Sequence, residues 1–98
     1  MALDVKWSED ANESFERILD YLQSQWGLKV VQAFVRKTYE FLDLLAVFPE
    51  IGSVENTGPK IRGFVLVKQI SVFYICKNDS IVLLIFYDNR QRPTVIGK

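Results

Sequence analysis

The sequence has no histidine and a single cysteine in 98 residues. Without histidine there is no Ser-His-Asp or Cys-His nucleophile, and no imidazole to act as acid or base near neutral pH. With Cys76 alone, neither an intrachain disulfide nor a Cys/His metal cluster can form. Its apolar neighbours make it a small, reduced, buried residue, which fits the cytoplasm. Long apolar runs are also missing. The longest uninterrupted one, Ile81 to Tyr87, falls far short of the ~20 residues that span a bilayer. The opening "MALDVKW" has no apolar stretch behind a basic start, so a soluble cytoplasmic protein without a membrane partner is expected. Gly52, Gly58 and Gly63 are neither spaced nor followed by a helix as a phosphate-binding loop requires. No metal and no cofactor are expected.

What is present suits one domain over residues 1–98. A chain of this size buries roughly 65% of the surface that its unfolded form exposes, enough for one core. The formal net charge of zero conceals a polarity. Residues 1–50 hold five Lys/Arg against nine Asp/Glu, and residues 51–98 hold seven against three. A basic surface therefore belongs to the second half, either as a face for a partner or as an unevenly charged solvated surface.

"LDVKW" alternates Leu3, Val5 and Trp7 with polar residues, the pattern of a half-buried strand. Ser8 is a good N-cap, with Glu9 and Asp10 placed for the first turn of a helix. Ala11, Phe15, Ile18, Leu19, Leu22 and Trp26 then recur at helical spacing until Gly27. A second helix is predicted from about Leu28 until Pro49 ends it around Phe48. So short a connection makes the pair an antiparallel hairpin. "PEIGSVENTGPK" reads as a surface loop. Three strands follow, "KIRGFVLVK", "ISVFYICK" and "SIVLLIFY", with Asn78-Asp79 as a two-residue turn before the last. That last strand is apolar on both sides and is predicted to be central and buried on both faces. The expected fold is α+β in the order β-α-α-β-β-β, a small twisted, antiparallel-rich sheet with a helical hairpin on one face.

A buried central strand running straight into Asp88-Asn89-Arg90-Gln91-Arg92 displays those polar residues at the rim of the sheet, where functional groups are often placed. Arg90 and Arg92 could equally pair with Asp88 or with the acidic first helix.

The ordered set "ILDYLQSQWG", "LLAVFPEIG", "IRGFVLV", "VFYIC" and "IFYDNRQRP" resembles the RelE/ParE superfamily of type II toxin–antitoxin toxins, and more closely its ParE branch, over nearly the whole chain. The resemblance implies a bacterial growth-inhibiting protein neutralised by a cognate antitoxin. ParE-like members inhibit DNA gyrase by binding, whereas RelE-like members are ribosome-dependent endoribonucleases that cut mRNA in the ribosomal A site. It implies no sequence-specific DNA binding by this chain alone.

Cleavage through the 2′-hydroxyl needs a proton acceptor, a proton donor and cations for the phosphate. By the resemblance, Lys60 and Arg62 fall near the family's basic positions, Arg90 matches the arginine after the last strand, and Ser71 stands where an early arginine of the third strand is expected. Past Arg92 no residue is a useful acid or base, and Tyr74 and Tyr87 lie within strands. No catalytic residue is assigned. The ParE-like reading is preferred, the ribonuclease is the alternative, and a decayed toxin or one with another target is a third. Arg90, Arg62, Lys60 and Arg92 are the expected target-binding and toxicity residues. Val30, Phe34, Tyr39 and Phe41 point in directions that cannot all face one core, and are the expected antitoxin contacts.

Overall fold

The computed structural model describes residues 3–55 and 60–89. They form β1 (Asp4–Trp7), α1 (Glu9–Trp26), α2 (Leu28–Val47), β2 (Ser53–Val54), β3 (Ile61–Val67), β4 (Ile70–Cys76) and β5 (Ser80–Asp88). Ser8 caps α1 as its type predicts, its Oγ accepting from the Ala11 N–H at 3.0 Å. Gly27 ends the helix at φ 91° and ψ −179°, a conformation essentially reserved for glycine. α2 starts at the next residue and returns antiparallel, with the Phe15 and Phe34 rings 5.7 Å apart.

The sheet order is β1-β5-β4-β3-β2, with β1 parallel to β5 and the other neighbours antiparallel. β5, expected to be central, is an interior strand between β1 and β4, with β4 in the middle of the sheet. Its unbroken apolar run has a different cause from burial on both faces, because the helices cover one face and Ile85 on the other is exposed. The register pairs Phe73 with Ile85 but Tyr74 with Leu83, so Leu84 is an extra, bulged residue. The bulge shifts the alternation by one. Ile81 and Leu83 before it, and Phe86 and Asp88 after it, are all buried.

The N-cap and second turn of α1 supply side-chain hydrogen bonds around this bulge. Ser8 Oγ donates to the Leu84 carbonyl at 2.9 Å, and the Phe86 N–H donates to Ser14 Oγ at 2.9 Å. The segment read as a plain loop contains β2, which pairs Ser53 with Gly63 and Val54 with Arg62. The core joins Phe15, Ile18 and Leu22 of α1, Phe34, Phe41 and Leu45 of α2, and Val72, Tyr74, Leu83 and Phe86 of the sheet. Each such burial stabilises by about 1.5–3 kcal/mol before chain entropy is counted. Among the described residues no helix is long and apolar enough to cross a membrane.

Candidate functional site

At the end of the sheet where β3 begins, three inward-facing side chains hold the segment that follows α2. The Tyr74 hydroxyl donates to the Pro49 carbonyl at 2.9 Å and accepts the Gly52 N–H at 2.8 Å. Arg62 donates from one guanidinium nitrogen to the Gly52 carbonyl at 2.7 Å and to the Glu50 carbonyl at 3.3 Å. The Cys76 thiol donates to Pro49 O at 3.4 Å. Tyr74 is fully buried. Burial pushes its phenol above the ordinary value, partly opposed by the Gly52 N–H. Burial likewise raises the Cys76 thiol, with Arg62 lowering it and Glu50 raising it. Gly52 has no room for a side chain, since a Cβ there would lie 2.8 Å from both the Gly63 carbonyl and the Tyr74 hydroxyl.

Beside this clamp opens a cavity of about 500 Å³. Among the described residues, Lys60, Arg62 and Lys77 bring cations to it from the start of β3 and the β4–β5 turn, against the single carboxylate of Glu50. Leu3, Pro49 and Val54 form apolar wall. Lys60 adopts φ 70°, a left-handed conformation that costs a residue with a side chain roughly 1–2 kcal/mol. Lys60 and Arg62, both named from the resemblance, therefore line one cavity, and Lys77 joins them. Lys77 was missed because only tertiary pairing places the β4–β5 turn beside the start of β3.

Arg90 and Arg92 lie outside the described residues. The chain up to them leaves the opposite end of the sheet, where Asp88 pairs with Ile70 and the Asn89 N–H donates to the Gln69 carbonyl at 2.8 Å. Arg62 pairs with Tyr74, four residues along β4 from Ile70, or about 13 Å at the usual rise of a strand. Ser71 is buried on the outward side of β4 between Val65 and Tyr87.

A second surface runs between α2 and β3 as three adjoining cavities of about 380, 240 and 180 Å³. Val30 lines the first two, Phe34 the middle one, and Phe41 the last, together with Leu44, Phe64 and Leu66. Phe34 and Phe41 are buried as its floor, and Phe41 stacks on Phe64 at 4.4 Å. Val30 and Leu44 are exposed. Tyr39 lies elsewhere, in a cleft with Trp7 and Phe15, its ring 6.4 Å from that of Trp7.

The fold is that of known toxins. A chain of the chromosomal ParDE toxin–antitoxin system from P. aeruginosa superimposes with a TM-score of 0.74 at 19% identity, covering 89% of this chain and 96% of the other. A copper-bound L66S mutant toxin from Helicobacter pylori superimposes with a TM-score of 0.62 at 13% identity, covering 92% and 98%. No curated protein sequence matches this one. The family described as the ParE toxin of the type II toxin–antitoxin system, parDE, matches residues 5–92, and the chain belongs to that family.

Proposed function

We propose that this chain is a single-domain cytoplasmic toxin that arrests growth by binding DNA gyrase, and that a cognate antitoxin neutralises it. The observation that favours binding over RNA cleavage is the engagement of Arg62 and Tyr74. The tyrosine is fully buried, and both side chains bond the backbone of Pro49–Gly52. A phenol held this way, with its pKa raised by burial, is poorly suited to exchange protons with a substrate.

The antitoxin's C-terminal segment docks as a helix in the α2–β3 groove and as an extended stretch on the edge of β3. The Ile61 carbonyl points toward β2, accepting from the Glu55 N–H at 2.7 Å. Strand alternation turns the backbone of Val65 the same way, beyond the two residues that β2 pairs. Such an edge accepts an added strand. Residues 21–39 carry Lys29, Arg36 and Lys37 and no Asp or Glu, so an amphipathic segment with an acidic flank fits best.

Induction in bacteria, with and without the antitoxin, tests this reading. The expected result is a DNA-damage response with intact mRNA, suppressed by the antitoxin. Prompt transcript cleavage at ribosomes, with DNA supercoiling unaffected, would favour the ribonuclease instead.

A further inference from the structure

We propose that the cavity at the start of β3 is a carboxylate-binding subsite, which receives an aspartate or glutamate side chain from a partner protein. The inference rests on the reading of the chain as one that acts through protein partners, and it names the chemistry of one contact.

Arg62 carries the argument. One of its guanidinium nitrogens is tied to the Gly52 and Glu50 carbonyls, and these bonds fix the plane of the group. Guanidinium has five N–H donors in a rigid fork, and the rest of the fork has no protein partner among the described residues. A fork already oriented by the fold loses little freedom when it binds a planar carboxylate in bidentate fashion. Lys60 and Lys77 flank it in the same cavity, so among the described residues an entering anion meets three cations and one carboxylate. Lys60 is held there on a left-handed backbone, and strain of this kind collects at ligand sites.

The walls select the bearer of the charge. Leu3, Pro49 and Val54 line the cavity, and Val54 is exposed on the edge strand β2. An acidic side chain brings an aliphatic stem to such walls and an apolar neighbour to Val54, whereas a phosphate offers nothing to them. The subsite therefore suits an acidic residue beside a leucine-like one in a segment passing the β2 edge.

The test is a titration of the isotopically labelled chain followed at the Arg62 Nε–H resonance. The probes are acetyl-Leu-Glu-Leu-amide, acetyl-Leu-Gln-Leu-amide and inorganic phosphate. The glutamate peptide should produce a saturable millimolar shift that the glutamine peptide does not. Lys77→Glu and, separately, Lys60→Glu should each weaken it by about fivefold, the upper range for a partly exposed ion pair. Both are surface changes that leave the fold intact. No saturable shift, an equal response to the glutamine peptide, or wild-type affinity in both variants overturns the subsite. Tighter binding of phosphate than of the glutamate peptide overturns the carboxylate assignment. Neither gyrase nor antitoxin is in the sample, so the result is independent of whether gyrase is the target.

Discussion

The Tyr74 hydroxyl accepts the Gly52 N–H at 2.8 Å, joining the middle of β4 to the segment that leaves α2. It also donates to Pro49 O at 2.9 Å, so one phenol oxygen satisfies two backbone groups. Tyr74→Phe keeps the ring and leaves a buried N–H and a carbonyl without this partner. Chemical denaturation should show a loss of about 1–3 kcal/mol, the cost of a buried unsatisfied group. An unchanged midpoint would mean that the clamp adds nothing to stability.

The same clamp predicts alkaline weakening. Burial raises Tyr74 above its ordinary 10.0 and Cys76 above its ordinary 9.0. In both cases the folded chain holds the proton more tightly than the unfolded chain. Their contribution is therefore complete below the unfolded values and is lost as pH rises through the folded ones. Unfolding free energy should start to fall near pH 9 and continue past pH 10. Cys76→Ala should delay the onset, and Tyr74→Phe should flatten the later part. Parallel profiles for wild type and both variants would contradict the assignment.

Ser14 ties α1 to the β5 bulge, accepting from Phe86 while its own hydroxyl donates to the Asp10 carbonyl at 2.6 Å. Ser14→Ala should destabilise by about 1–3 kcal/mol by leaving the Phe86 N–H unpaired. Ser24→Ala, whose hydroxyl makes an exposed bond within α1, should stay within about 0.5 kcal/mol. Thermal melts of the pair separate a specific tie from a general serine effect.

Val30 and Leu44 are exposed at the two ends of the α2–β3 groove. Val30→Glu or Leu44→Glu should leave the melting temperature nearly unchanged and weaken antitoxin binding by about 10- to 100-fold, as expected when an apolar interface anchor worth 1.4–2.8 kcal/mol is lost. Because apolar burial dominates, wild-type affinity should vary only modestly with salt, although exposed charges are screened beyond ~10 Å at 0.1 M. Calorimetry at low and moderate salt checks both points. A collapse of affinity with salt would move neutralisation to the basic residues.

Most elements were legible because their signals are local. Ser8, Gly27 and Pro49 punctuate the helices through capping, glycine-only dihedrals and the limits that proline sets on the residue before it. β2 escaped because a two-residue strand has no periodicity. The Leu84 bulge escaped because its hydrogen-bond partners are Ser8 and Ser14, more than 70 positions away. It imitates the unbroken apolar pattern of a strand buried on both faces. At the site, the resemblance put Lys60 and Arg62 in one basic set with Arg90 and Arg92, which lie outside the described residues; among those described, the antiparallel register sends the start of β3 and the end of β5 at Asp88 to opposite ends of the sheet. The resemblance marked Arg62 as a contact residue, and its bonds to the Pro49–Gly52 segment depend on a chain reversal that no spacing displays.

The proposed action is inhibition of gyrase by binding, without cleavage of RNA. Its most direct test adds the purified chain to two reactions, DNA supercoiling by gyrase and translation of a defined mRNA by ribosomes. Supercoiling should fall with toxin concentration and recover when antitoxin is added, while the mRNA stays full length. Unimpaired supercoiling together with toxin-dependent cleavage of the ribosome-bound mRNA would contradict the account.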